Sequence, residues 1–230
     1  MTPFLLIPGL NCDARVYAGA AHVLWPFGPV TIANHQQGAT MAEIAASILA
    51  VAPATFGLVG FSMGGYIAFE ILRQAPERVV RLALLDTTAR PDSEEATANR
   101  RRLIALARKG KFIEAIEQTF PRSVHPDNKD SSDLYAIHRA MAETNGPEIF
   151  EAQQEAIIAR ADSRPDLGRI KIPTLVLVGE GDQITPPDAA EEMHRGIAGS
   201  RLVVVPRAGH LALLEQRDAV QEALRDWAGA

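Results

Sequence analysis

Six short runs of almost uninterrupted apolar residues punctuate this chain, and no other feature restricts its fold as strongly. They are Phe4-Leu5-Leu6-Ile7, Val30-Thr31-Ile32, Phe56-Gly57-Leu58-Val59, Val79–Leu85, Thr174–Val178 and Leu202–Val205. A strand with one wet face alternates apolar and polar residues; a strand apolar on both faces must be covered on both. The covering material lies between the runs. Helical patterns follow Asp13 and occupy Met41–Val51, about Met63–Gln74, about Asp188–Ile197 and about Arg217–Trp227. Thr40 stands as N-cap before Met41, with Glu43 at the third helical position. Strand and helix in alternation predict an α/β fold with a mostly parallel sheet of about six strands.

The alternation stops between Thr87 and Ile170. That stretch carries about four helical segments, starting near Glu95, Lys111, Ser132 and Pro147, and no convincing strand. An all-helical insertion between two parallel strands reads most simply as a lid over the strand ends. The expected division is a core of residues 1–86 and 171–230 with a helical lid over 87–170. The lid has 13 Lys+Arg against 14 Asp+Glu, so it is not a clamp for a polyanion.

Gly60-Phe61-Ser62-Met63-Gly64 lies directly after an apolar run and before a helical one. A serine between glycines at plus and minus two suits a very tight strand-to-helix turn, where strand and helix backbones approach too closely for a Cβ. Such a turn lifts the hydroxyl above the sheet, at a helix N-terminus that favours negative charge. A serine nucleophile needs a base, and the base an orienting carboxylate. His210, in Gly209-His210-Leu211, follows the sixth run and so falls on the same edge as Ser62. Two carboxylates could complete the set. Asp182 follows the fifth run in Gly179-Glu180-Gly181-Asp182, with Pro186-Pro187 behind it; Asp86 follows the fourth. The glycines and prolines around Asp182 favour it, leaving Asp86 to cap N–H groups near Thr87 and Thr88.

These residues resemble the α/β-hydrolase family. The order Ser62, Asp182, His210, the G-x-S-x-G-G turn, the G-E-x-D-x-x-T-P loop and the G-H-L loop are all of that family's pattern. The chain is most similar to the small lidded esterase and C–C hydrolase group, which includes enol-lactonases and pimeloyl-carrier methyl esterases. The family usually opens with a two-stranded hairpin, which looks absent here. Its usual His-Gly loop is Pro8-Gly9-Leu10-Asn11 in this chain. The resemblance implies an α/β-hydrolase fold, a catalytic triad of Ser62, His210 and Asp182, and an oxyanion hole from the backbone N–H groups of Leu10 and Met63. Asn11 and the apolar neighbours Phe61, Met63, Ile184 and Leu211 are the expected substrate contacts and pocket wall. The reaction expected is hydrolysis of a small ester, lactone or thioester, without metal or organic cofactor. C–C hydrolysis, cofactor-free perhydrolysis and lyase chemistry are alternatives on the same fold, and a lidded small-molecule receptor is an alternative of another class.

Composition narrows the remainder. A net charge of −5 gives no general pull toward nucleic acid or anionic membrane. Cys12 is alone, which excludes an internal disulfide and a multi-cysteine metal cluster. There is no H-E-x-x-H, no complete phosphate-binding or dinucleotide glycine pattern, and no apolar stretch near the roughly 20 residues that cross a bilayer. Met1-Thr2-Pro3-Phe4 lacks the basic start of a signal peptide, so the cytoplasm is the expected compartment; a monomer and a homodimer are both left open. Arg100-Arg101-Arg102 is read as a solvated helix face paired with Glu94 and Glu95. Arg122, His125, His138 and Arg160 are lid positions that could meet an acidic group.

Overall fold

The computed structural model describes residues 1–230. The strands are β1 (Phe4–Ile7), β2 (Val30–Ile32), β3 (Phe56–Phe61), β4 (Val79–Leu85), β5 (Thr174–Gly179) and β6 (Arg201–Val205). They form one sheet in the order β2-β1-β3-β4-β5-β6, and every neighbouring pair is parallel. The six apolar runs thus become the six strands, within a residue or two at their ends.

Because side chains alternate across a strand, each run feeds two cores. Phe4, Leu6, Val59, Phe61, Leu175 and Leu177 face one side, where they meet helices α1 (Ala18–Leu24), α8 (Ala212–Glu215) and α9 (Arg217–Gly229). Leu5, Ile7, Leu58, Leu82, Leu84 and Val176 face the other, against α2 (Met41–Leu49), α3 (Met63–Gln74) and α7 (Pro187–Gly196). The side chain of Thr40 caps α2, accepting from the Glu43 N–H at 3.2 Å. Glu43 in turn reaches back to the Ala39 N–H, at 2.7 Å.

Between β4 and β5 run α4 (Glu94–Arg108), α5 (Phe112–Ser123) and α6 (Ser132–Ile158). Gly146, at φ 80° and ψ 168°, breaks α6 into two helices, with Pro147 opening the second. Four helical segments are therefore present, where the sequence pattern suggested four. They carry a small core of their own, built from Leu103, Ala107, Phe112, Ala115, Ile116, Ala142 and Phe150. Their ends join the sheet's two cores through Phe120, Val124 and Met141 on one side and Ala156 and Ile157 on the other. No helix is long and apolar enough to cross a membrane.

A parallel sheet delivers every strand's C-terminal end to the same edge. The loops after β1, β3, β4, β5 and β6 all open there, and the candidate residues sit on them.

Candidate active site

Ser62 occupies the junction of β3 and α3. A Cβ on Gly60 would lie 2.5 Å from the Gly64 carbonyl oxygen, and one on Gly64 only 2.0 Å from that of Ile7. The glycine spacing read from sequence therefore has the steric cause assigned to it. Ser62 itself adopts φ 52° and ψ −117°, a region that residues with a side chain rarely enter. Its N–H donates to the Leu85 carbonyl at 3.0 Å, and the Thr87 hydroxyl donates to its carbonyl at 2.8 Å. Strain at the serine is thus held in place by the neighbouring strand.

His210 arrives on the loop after β6. Its Nε2 is 2.8 Å from Ser62 Oγ, and its Nδ1 is 2.8 Å from Asp182 Oδ2. Asp182 is fixed in turn. Oδ1 accepts the N–H groups of Ile184 (2.8 Å) and Thr185 (3.0 Å), and Oδ2 accepts the Thr185 hydroxyl at 2.8 Å. Burial alone would push the Asp182 carboxyl up. The adjacent His210 and the Thr185 and Ile184 N–H groups outweigh it and hold Asp182 below the ordinary carboxylate range. The acid therefore stays ionised, and an ionised Asp182 requires the hydrogen on His210 Nδ1. That leaves Nε2 free to accept from the serine.

The two carboxylates differ in position: Asp182 meets His210, and Asp86 does not. Asp86 is fully buried at φ 43°, and its Oδ1 accepts the Gly179 N–H at 2.8 Å. It points along the sheet edge toward β5, not toward the Thr87 and Thr88 N–H groups that the sequence suggested it would cap. Its Oδ2 has no partner. Burial first, then the nearby Asp182 charge, push its carboxyl well above the ordinary range, so Asp86 holds its proton.

The loop after β1 passes directly over the serine. A Cβ on Gly9 would stand 3.1 Å from Ser62 Cβ. The Cys12 N–H closes a turn onto the Gly9 carbonyl at 3.1 Å, with Asn11 in the left-handed region at φ 59°, a conformation asparagine tolerates. The Leu10 N–H meets no acceptor in the protein. Met63 is the first residue of α3, where the N–H has no carbonyl one turn back. Two unsatisfied donors thus flank Ser62.

A cavity of about 590 Å³ opens above Ser62 and His210. Asn11, Phe61, Ile184 and Leu211 are in its wall, together with Leu10, whereas Met63, also expected there, is buried beneath the turn and does not reach it. Helices α4 to α6 contribute Leu103, Phe150 and Ile157. Of the four polar positions read there, Arg122 and His138 line the cavity and His125 and Arg160 do not. Arg160 instead pairs with Asp92 at 2.8 Å and lies over the Tyr66 ring. The arginine run also differs from expectation. Arg100 pairs with Asp92 (3.2 Å) rather than Glu94 or Glu95, Arg102 bonds Asn99 and Gln118, and both reach the cavity. Asp92 lies just before α4, a position from which it reaches both Arg100 and Arg160.

Three contributors were not singled out from sequence. Thr185 clamps Asp182, and its place in Asp-x-x-Thr was the available signal. Thr87 holds the serine turn. Glu215 accepts the N–H groups of Gly209 (2.8 Å) and His125 (2.7 Å) and the Asn128 amide (2.8 Å), tying the His210 loop to the end of α5. No three His, Cys, Asp or Glu side chains stand close enough together to hold a metal ion. Cys12 is buried in the cavity wall, and burial pushes its thiol up to about 12.

Known proteins with this geometry are not distant. Residues 40–216 match the family described as alpha/beta hydrolase fold. A pimeloyl-[acyl-carrier protein] methyl ester esterase of Neisseria meningitidis serogroup B is 30% identical over 219 residues, covering 88% of this chain and 82% of the relative. Among solved structures, a thermophilic esterase from Thermogutta terrifontis, with malate bound, superposes with a TM-score of 0.87 at 33% identity, over 99% of this chain and 89% of that one. The enol-lactonase from Burkholderia xenovorans LB400 shares the fold at a TM-score of 0.87 and 24% identity, over 100% and 92% of the two chains. Sheet order, serine turn and matched family agree: the chain belongs to the α/β-hydrolase family.

Proposed function

We propose that this chain is a serine hydrolase that cleaves a small carboxylic ester, lactone or thioester through an acyl-enzyme. The observation that carries the reading is the unbroken line from Ser62 Oγ through both nitrogens of His210 to an ionised Asp182, ending beneath an open cavity. Relatives at 30% and 33% identity that are named esterases support it.

His210 Nε2 takes the hydroxyl proton as Ser62 Oγ bonds to the carbonyl carbon. The carbonyl's electron pair moves to its oxygen, which the Leu10 and Met63 N–H groups receive. Such a donor is worth about 2.7–4 kcal/mol at the transition state. Collapse of the adduct expels the alcohol or thiol with the His210 proton. Water, deprotonated by His210, then attacks the acyl carbon and releases the acid and Ser62. Asp182 keeps the imidazole in one tautomer and stabilises its charged form throughout. Residues 87–170 act as the lid, and their apolar side chains, with Phe61 and Leu211, sequester the acyl chain from water.

A serine-directed fluorophosphonate should label Ser62 alone, and Ser62→Ala should lower short-chain p-nitrophenyl ester turnover by about 10⁴-fold or more at unchanged melting temperature. Turnover at the wild-type level in that variant would overturn the reading.

A further inference from the structure

The reaction proposed above uses His210 and leaves a second buried imidazole without a role. His35 follows β2, is 3% exposed, and sets its Nε2 3.0 Å from the Gly9 carbonyl oxygen. A carbonyl only accepts, so Nε2 carries the hydrogen and donates. Burial pushes the imidazole down to about 4, so it stays neutral and keeps that single tautomer at neutral pH.

The acceptor matters because of what it is bonded to. The Gly9 carbonyl and the Leu10 N–H belong to one planar peptide unit, and no peptide bond in the chain is cis. In a trans unit the two groups point in opposite directions. Whatever captures the oxygen therefore aims the N–H. Two donors capture it: the Cys12 N–H from within the turn and His35 from outside it. Pro8, just before the turn, has no N–H with which to help anchor the segment. Without His35 the turn's own 3.1 Å bond alone would set the peptide plane. Hydrogen bonds to a carbonyl also polarise the amide, so its N–H becomes a stronger donor.

We infer that His35 is a positioning residue for the oxyanion hole: by holding the Gly9 carbonyl it aims the Leu10 N–H at the oxygen that becomes charged in the transition state. His35 is itself held from behind. Its backbone carbonyl accepts the Gln153 side-chain amide at 3.3 Å, from the second half of α6. Gln153 is buried, so the second half of α6 is packed against this support. The inference rests on the serine-hydrolase reading and makes a separate claim within it.

The test compares wild type with His35→Phe, which fills the space without a donor, and His35→Gln, whose amide can reach the same carbonyl. Ester kinetics are read beside binding of a short alkyl boronic acid, whose serine adduct places an oxygen in the hole. In His35→Phe, kcat should fall by about 30-fold or more with KM within about threefold, as for loss of a transition-state contact. Boronic acid affinity should fall with kcat, and His35→Gln should recover most of both. If the Phe variant does not fold, His35→Asn, too short to reach Gly9, takes its place. Wild-type kcat and boronate affinity in the donor-less variant would overturn the inference while leaving the serine-hydrolase reading intact. Equal losses in the Phe and Gln variants would overturn it too, since restoring the donor would then have no effect. Absence of Ser62-dependent turnover in wild type would instead remove the reading on which it stands.

Discussion

Two aspartates follow neighbouring strands, Asp86 directly after β4 and Asp182 three residues after β5, and their environments shift them in opposite directions. Asp182 receives three hydrogen bonds from Ile184 and Thr185 besides that from His210, whereas Asp86 receives one, is fully buried and lies near the Asp182 charge. Asp182→Asn should therefore cut kcat by about 10³–10⁴-fold, because an amide favours the wrong His210 tautomer. Asp86→Asn should leave kcat near wild type. Its stability effect has a definite sign. Burial first, then the Asp182 charge, raise the Asp86 carboxyl above its unfolded value, so its contribution to stability is fully present in acid and is lost as pH rises toward the folded value. Asparagine does not lose it. Thermal melts from pH 4 to 8 should show Asp86→Asn gaining on wild type as pH rises, and a gap that does not change with pH would contradict the assignment. Sequence separated the two acids by the glycines and prolines beside Asp182. It offered no sign that Asp86 turns to Gly179, because that partner lies 93 positions away.

At the scale of elements, the site depends on how tightly the end of β1 crosses the start of α3. A methyl on Gly64 would meet the Ile7 carbonyl oxygen at 2.0 Å, and backbone on both sides leaves little room to yield. Gly64→Ala should cost about 1–3 kcal/mol or more and lower kcat, since the strand that shifts also carries the Pro8–Asn11 loop. Gly168→Ala, where a Cβ meets nothing within 4 Å, is the matched control and should melt like wild type. Comparable loss in both variants would refute the close-approach argument. Strands and helices were legible in the chain because their signals are local: apolar runs for β1 to β6, and Thr40 before α2. The clamps of Thr185, Glu215 and His35 were not, because each is defined by a partner brought near only by the finished sheet edge.

Across the whole molecule, residues 87–170 are tied together by a buried charge cluster as well as by packing, and Arg160 of that cluster lies over the Tyr66 ring of α3. Asp92 is the one carboxylate between Arg100 and Arg160, and its side chain is 2% exposed. Burial would push Asp92 up, but the two arginines and the Thr97 hydroxyl hold it below the ordinary carboxylate range. Its stabilising contribution is thus present at neutral pH and lost only as acid approaches that lowered value. Asp92→Ala leaves two arginines facing each other with little water, and should cost about 3–5 kcal/mol in urea unfolding at pH 7. A loss below about 1 kcal/mol would mean that the arginines find other partners. The sequence pattern announced the helices but not this cluster. It paired the arginine run with Glu94 and Glu95, the nearest acids, because helical spacing ranks partners by proximity along the chain and cannot see Arg160.

The join between β4 and β5 has one more consequence. These strands hydrogen-bond side by side in register, Leu82 with Thr174 through Leu85 with Leu177, although the entire helical segment runs between them. The hydrogen bonds between these strands therefore constrain only where that segment departs and returns. Closing a longer excursion is inexpensive, roughly 0.6 kcal/mol for each doubling of a flexible loop. The architecture behaves like a bench with an exchangeable fitting: cavity-lining residues of that segment can be redrawn, lengthened or replaced while the hydrogen-bonded line of Ser62, His210 and Asp182 keeps its footing in the strands below.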